Sequence, residues 1–369
     1  MADGTFVLET RAAVRFPFGP EIDDLTRPIW EKVKARVSPY EWRAHAPLIA
    51  EINRLKRERN AVILAHNYMT PEIFHGVGDY VGDSLGLARE AARSDAAVIV
   101  QAGVHFMAET SKVLAPEKRV LIPDPLAGCS LASSITAEDV RMIRARYPGV
   151  PVVTYVNTTA EVKAETDICC TSANAVQVVE AAAAEWGADR CILIPDEFLA
   201  RNVARQTAVK IIAWAGRCEV HERFTAADIH ELRAAYPGAE ILAHPECPTE
   251  VIEASDFTGS TAAFTDYIAR RKPKQVVMIT ECSMASNVQA DSPDTQFIGP
   301  CNLCPHMKRI TLQNIYEALA YDRYEVTVDP VVAARAATAV QRMIDLPTPT
   351  TPARYDLVKA RHHVAVELI

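Results

Sequence analysis

Three stretches of this chain end an apolar run in the same way, at nearly the same interval. Ala61 to Ala65 runs into His66-Asn67-Tyr68, Val152 to Thr154 into Tyr155-Val156-Asn157, and Glu240 to Ala243 into His244-Pro245-Glu246. His66, Asn157 and His244 stand 91 and 87 residues apart. A hydroxyl placed to cap a helix follows each ending: Ser84, Ser172 or Thr261, at offsets of 18, 15 and 17 residues. Further apolar runs at Ala97 to Gln101, Cys191 to Ile194 and Gln275 to Ile279 lead into helix-like stretches, and a third strand then reaches Cys129, Cys218 or Cys304. Those cysteines are separated by 89 and 86 residues. Strand and helix alternation in any α/β chain produces some such spacings by accident, but here four kinds of landmark recur in one order. Short apolar runs of buried-strand length predict parallel sheets, and the repeat predicts three related units. The expected fold is therefore α/β, with three αβα-sandwich domains around a central active site, related by a pseudo-threefold axis.

The units are expected at residues 61–146, 147–235 and 236–322. An N-terminal extension and lead-in helix would occupy 1–60, a C-terminal strand and helix packing on the body 323–346, and a tail 347–369. Within these, residues 1–45 lack sustained periodicity and read as an extension wrapping the body, and Leu48 to Asn60 as a surface helix. Thr311 to Tyr321 and Val331 to Ile344 read as helices with a strand, Tyr324 to Val328, between them. Pro347 to Pro352 reads as a linker, and His362-His363 as a surface pair. At 369 residues the chain is too long for one ordinary core. With 39 basic and 47 acidic residues interspersed, its net charge of −8 argues against a nucleic-acid or anionic-membrane partner. No apolar run has the length to cross a bilayer, and Met-Ala-Asp-Gly-Thr lacks the basic start and apolar core of a signal peptide, so a cytoplasmic location is expected. Nine cysteines, an odd number in a long chain, do not suggest a secreted disulfide framework; reduced thiols free to hold metal are expected.

Polar residues at the carboxyl end of a parallel strand stand where open α/β sheets place ligands. Three thiolates converging there from three loops, with a fourth position open, admit zinc or a [4Fe-4S] cluster. Structural zinc typically closes its shell with paired Cys-x-x-Cys knuckles, and only Cys301-x-x-Cys304 exists here. The long intervals suit a cluster held between domains better, with one iron free as a Lewis acid. Cys169, Cys170, Cys191, Cys247 and Cys282 have no place in the repeat and read as buried thiols. Cys301 reads two ways, as a substitute ligand for Cys304 or as its partner in a regulatory disulfide. Glu246 is a candidate general base whose pKa burial near other acids would raise toward neutrality. His66, Tyr68, Tyr155 and His221 are candidates to pass protons or orient a carbonyl, although singly each reads as well as a satisfied core residue. Helix starts at Ser84, Ser172 and Thr261 aimed at a common centre would bind anions, so the substrate is expected to carry several carboxylates or a phosphate.

Seven motifs then stand out together: Ala-His-Asn-Tyr at 65–68, Val-Gly-Asp-Ser-Leu at 81–85, Pro-Leu-Ala-Gly-Cys-Ser-Leu-Ala at 125–132, Thr-Tyr-Val-Asn-Thr at 154–158, Cys-Glu-Val-His-Glu-Arg-Phe at 218–224, Ala-His-Pro-Glu-Cys at 243–247 and Cys-Pro-His-Met-Lys at 304–308. The set resembles the quinolinate synthase (NadA) family. That resemblance implies an oxygen-sensitive [4Fe-4S] cluster on Cys129, Cys218 and Cys304. It implies condensation of iminosuccinate with dihydroxyacetone phosphate to quinolinate, phosphate and two waters in de novo NAD biosynthesis, with L-aspartate oxidase as the upstream supplier. By motif position, substrate contacts carry over to His66, Ser84, Tyr155, Val156, Asn157, Ser172, His244, Pro245, Glu246 and Thr261, and catalytic roles to Glu246, His66, Tyr68 and His221. One departure exists. Some members carry Cys-x-x-Cys-x-x-Cys before the Pro-x-Met, whereas Ile298 fills the first slot here, which puts any redox switch needing that thiol in doubt. Rival readings are another three-cysteine cluster enzyme, such as a diphthamide-type radical enzyme or the terminal reductase of the non-mevalonate pathway, a non-catalytic redox sensor built on Cys301 and Cys304, and a zinc-binding structural protein.

Overall fold

The computed structural model describes residues 16–346 and 366–369. Three sheets, with all strand pairs parallel, account for its strands. The first holds β1 (Ala61–His66), β2 (Tyr80–Gly82), β3 (Val98–Ala102) and β4 (Arg119–Leu121) in the order β2-β1-β3-β4. The second holds β5 (Val152–Tyr155), β6 (Ile168–Cys170), β7 (Arg190–Ile194) and β8 (Lys210–Ala213), and the third β9 (Glu240–Ala243), β10 (Phe257–Thr258), β11 (Gln275–Ile279) and β12 (Gln296–Ile298). Both repeat the first order: β6-β5-β7-β8, extended at the β8 edge by β13 (Glu367–Leu368), and β10-β9-β11-β12. The recurrence read from spacing is thus a recurrence of topology. In each unit the first strand lies between the second and third, where connections leave in opposite directions, and that reversal opens a crevice at the strands' carboxyl ends. β1, β5 and β9 end there, which is why the polar residues following them share a centre.

The central strands are buried on both faces, as in Val98–Ala102, where every residue is enclosed. This explains why they read as continuous apolar runs and not as alternating ones. Pairing is in register along their length, from Ala61 opposite Val98 to Ala65 opposite Ala102 in the first unit and from Glu240 opposite Val276 to Ala243 opposite Ile279 in the third. No helix among the described residues is long and apolar enough to cross a membrane.

Three local expectations need correction. The N-terminal segment, read as lacking periodicity up to residue 45, contains the helix Pro20–Val33 and a longer one, Pro39–Glu58. Pro20 and Pro39 occupy first helical positions, where a missing N–H costs nothing, and Ser38 with Glu41 forms a reciprocal capping box. Trp30 and Trp42 pack at 5.4 Å to hold the two helices together. The strand expected over Tyr324 to Val328 is a single antiparallel bridge between Glu325 and Leu121, flanked by hydrogen bonds with Ile122 and Val120. It lies along the edge of β4 before Asp329 caps the helix Pro330–Asp345. Finally, Cys301 forms a disulfide with Cys282 and not with Cys304, which is free, so not all the thiols are reduced. β12 runs parallel beside β11, and their continuations bring Glu281 opposite Asn302, leaving Cys282 and Cys301 with Cα atoms 5.0 Å apart. Residues 1–15, the Pro347 to Pro352 linker and His362-His363 lie outside the described residues.

Candidate active site

The three crevices open on one cavity, lined from all three units. Cys129, Cys218 and Cys304 all line it, and each follows the fourth strand of its unit. A common local geometry holds the sulfurs. Backbone N–H groups two and three residues on donate to each: Leu131 and Ala132 to Cys129, Val220 and His221 to Cys218, His306 and Met307 to Cys304. Such N–H pairs favour anionic sulfur. Burial works against them and dominates, pushing the Cys129 thiol up to about 12, the Cys218 thiol well above its ordinary value and the Cys304 thiol up as well. The sulfurs are therefore prepared for negative charge that the dry surroundings do not themselves stabilise. Three thiols with no fourth among the lining residues are a donor set that suits an open-site iron–sulfur cluster, whose iron would supply the missing positive charge. The residues fit that group.

Glu246, buried to 3% exposure, is the hub of the polar wall. Its Oε2 lies 2.7 Å from His221 Nδ1, Tyr155 donates a hydrogen bond to it, and Asn157 Nδ2 approaches Oε1 at 3.5 Å. Cys218 Sγ, 3.2 Å from His221 Nδ1, completes a group whose donor atoms lie within 4.8 Å of one another. Burial opposes the charge on Glu246, but the His244 and His221 rings and the hydrogen bonds from His221 and Tyr155 outweigh it, holding the carboxyl well below its ordinary range. The expected rise toward neutrality is reversed, because the neighbours are chiefly imidazoles and a phenol where acids were anticipated.

The other strand-end residues are similarly fixed. Burial brings His66 down to about 4, and its Nδ1 accepts the Tyr68 N–H at 3.1 Å, which leaves the proton of the neutral ring on Nε2. Burial likewise brings His244 down to about 3; its ring stacks on His221 at 4.6 Å, and its Nε2 reaches Ser172 Oγ at 3.4 Å. The phenols of Tyr68 and Tyr155 are pushed well above their ordinary value, first by burial and then by the charge on Glu246.

Ser84, Ser172 and Thr261 line the cavity, but none is a helix cap. Asp83 caps Ser84–Arg93, Asn174 precedes Ala175–Trp186 and Ser260 caps Thr261–Arg271. With capping done by the neighbours, Ser84 and Thr261 occupy first helical positions with their hydroxyls on the cavity, and Thr261 Oγ1 accepts from Asn67 Nδ2 at 2.8 Å. Among the substrate contacts carried over by motif, Val156 and Pro245 are buried behind the wall: the Val156 N–H donates to Cys170 and the Pro245 carbonyl accepts from Asn202. Sequence reasoning missed Thr280 and the ion pair of Lys308 with Glu281. Thr280 follows β11 much as the polar residues follow β1, β5 and β9. Endings of the third strand of each unit carried the signal that would have found it.

Three sheets of one topology, each giving a cysteine and polar strand-end groups to one buried cavity, define a three-lobed α/β enzyme with a single site between its units. The family model described as NadA, quinolinate synthetase A protein, matches residues 50–345. The chain is 78% identical over 352 residues to the quinolinate synthase of Caulobacter vibrioides, covering 95% of this chain and 96% of that protein. It is 63% identical over 316 residues to quinolinate synthase 1 of Mesorhizobium japonicum (86% and 96%) and 63% identical over 296 residues to the Xylella fastidiosa enzyme (80% and 86%). The chain belongs to the quinolinate synthase family.

Proposed function

We propose that this chain condenses iminosuccinate, supplied by L-aspartate oxidase, with dihydroxyacetone phosphate to give quinolinate, phosphate and two waters. The step is redox-neutral, belongs to de novo NAD biosynthesis and is a condensation and dehydration of the transferase/lyase type. The observation that supports this most is the meeting, in one cavity, of one thiol from each unit with the Glu246–His221 pair. Cys129, Cys218 and Cys304 would hold a [4Fe-4S] cluster, which supplies a Lewis acid at the iron that three cysteines leave without a protein ligand. The chain's own residues do the rest. Ser84, Ser172 and Thr261, beside helix N-termini, bind the carboxylates and phosphate through hydroxyl and backbone N–H donors. Asn157 and His66 orient the substrates. Glu246, held ionised, accepts protons during phosphate loss and isomerisation, while Tyr68 and Tyr155, kept as phenols, donate. His221 and His244 fix the Glu246 carboxylate, and the enclosed cavity excludes water from the closing ring.

The test is an anaerobic assay of iron-loaded protein with dihydroxyacetone phosphate and iminosuccinate generated in situ. Quinolinate is expected, and Glu246→Gln is expected to lower kcat by about 10²- to 10⁴-fold with iron content unchanged. Fully loaded protein that makes no quinolinate, while consuming neither substrate, would refute the reading.

A further inference from the structure

Thr280 belongs to no motif that resembles the family and does not line the cavity, yet it sits at a junction of the site. It follows β11, is fully enclosed at 0% exposure, and its backbone is pinned by the next residue, because Glu281 forms a buried ion pair with Lys308. Its Oγ1 lies 2.7 Å from the Tyr68 hydroxyl and 3.0 Å from His221 Nε2. Tyr68 comes from the first unit, His221 from the second and Thr280 from the third. A threonine hydroxyl offers one donor and two acceptor positions, so one side chain can hold both neighbours at once.

On the far side of the imidazole, His221 Nδ1 lies 2.7 Å from Glu246 Oε2 and 3.2 Å from Cys218 Sγ. The side chains thus form a continuous run, Tyr68 to Thr280, Thr280 to His221 and His221 to Glu246, with Tyr155 donating to the same carboxylate.

We propose that Thr280 is a positioning residue for the reaction assigned above: its hydroxyl holds the His221 ring and the Tyr68 hydroxyl in place, coupling the phenol on one side of the cavity to the Glu246 carboxylate on the other. The proposal rests on that reaction, but it makes a separate claim. Thr280→Val keeps the shape and removes the hydroxyl, taking a hydrogen-bond partner from both His221 Nε2 and the Tyr68 hydroxyl. A buried hydrogen-bonding group left unpaired in a dry site is costly, and misaligned proton donors and acceptors slow chemistry more than binding.

The test compares wild type, Thr280→Val and Thr280→Ser as iron-loaded holoenzymes. Thr280→Val is expected to lower kcat roughly 10- to 100-fold, with KM and the dissociation constant for quinolinate within about threefold of wild type. Thr280→Ser is expected to restore kcat to within about threefold. In protein labelled with ¹⁵N-histidine, the His221 Nε2 resonance is expected to keep its wild-type position in Thr280→Ser and to move in Thr280→Val. Wild-type turnover retained by Thr280→Val overturns the proposal, as does a serine variant as slow as the valine one, which would assign Thr280 to packing. Should the valine variant fail to fold, Thr280→Ala against Thr280→Ser makes the same comparison. A wild type that makes no quinolinate overturns the reaction and leaves the His221 resonance to decide on Thr280 alone: an Nε2 signal unchanged by Thr280→Val overturns it.

Discussion

Removing the Lys308 ammonium is predicted to destabilise the protein chiefly by stranding Glu281. Glu281 is completely buried, its Oε2 accepts the Ser283 N–H at 2.8 Å, and Lys308 Nζ lies 2.9 Å from its Oε1 as an ion pair. The same ammonium donates to the Tyr68 carbonyl at 2.6 Å and to Ser283 Oγ at 2.7 Å, tying the first unit to the third behind the site. Lys308→Met leaves a buried carboxylate without its partner, a loss of about 3–5 kcal/mol. The lysine side chain is 21% exposed, so some water reaches the pair and the lower end applies, about 3 kcal/mol. With an unfolding entropy of about 2.1 cal/mol/K per residue, that corresponds to a fall in Tm of about 4 °C for a chain of this size. Glu281→Gln is expected to lower Tm by about 2 °C, because it keeps an acceptor for Ser283 N–H while losing the ion pair. The decisive measurement is the double variant: with no charge left to strand, its loss must be smaller than the sum of the single losses, by about 2 kcal/mol. Strict additivity in thermal melts at equal iron content would refute the reasoning.

Acid stability gives a second handle. His66 and His244 are neutral in the folded protein down to about 4 and about 3, against an ordinary 6.5, because they are buried. The unfolded chain takes up these protons near pH 6.5 and the folded chain does not, so stability is intact above that pH and falls as the pH drops through the window. Each histidine adds about 1.4 kcal/mol per pH unit to that slope, and His66→Gln should visibly flatten the fall in denaturant midpoint between pH 6.5 and 5. Ser84→Ala and Thr261→Val remove hydroxyls beside helix N-termini and are expected to raise KM roughly tenfold or more with little change in kcat; a change confined to kcat would contradict anion binding there. Cys247→Ala, at a buried thiol that does not line the cavity, should leave iron content unchanged in a colorimetric assay.

Much of this architecture was readable before any coordinates because parallel strands buried on both faces write themselves as apolar runs, and a thrice-repeated unit writes its landmarks three times. The second strand of each unit leaves no such mark. Tyr80–Gly82 is largely exposed and Phe257–Thr258 has only two residues, too short and too mixed to stand out. The N-terminal helices were hidden by prolines, including Pro28 and Pro47 within them, which read locally as breakers. The hydroxyl pattern points to Ser84 and Thr261, one position away from the true caps, since Asp83 and Ser260 serve equally well by composition. The charge state of Glu246 is legible only in part from its own neighbours in the chain: His244 stands two residues away, but His221 and Tyr155 arrive from another unit. Thr280 was invisible for the same reason: its partners lie 212 and 59 residues away.

One measurement bears most directly on the claim that the three units exist to hold one cofactor among them: iron and acid-labile sulfide in anaerobically prepared protein, for wild type and for Cys129→Ser, Cys218→Ser and Cys304→Ser. About four irons and four sulfides per wild-type chain, and loss of both in every single variant, is the predicted result. Iron retained after any one of these substitutions, or a single zinc in place of iron, would contradict it.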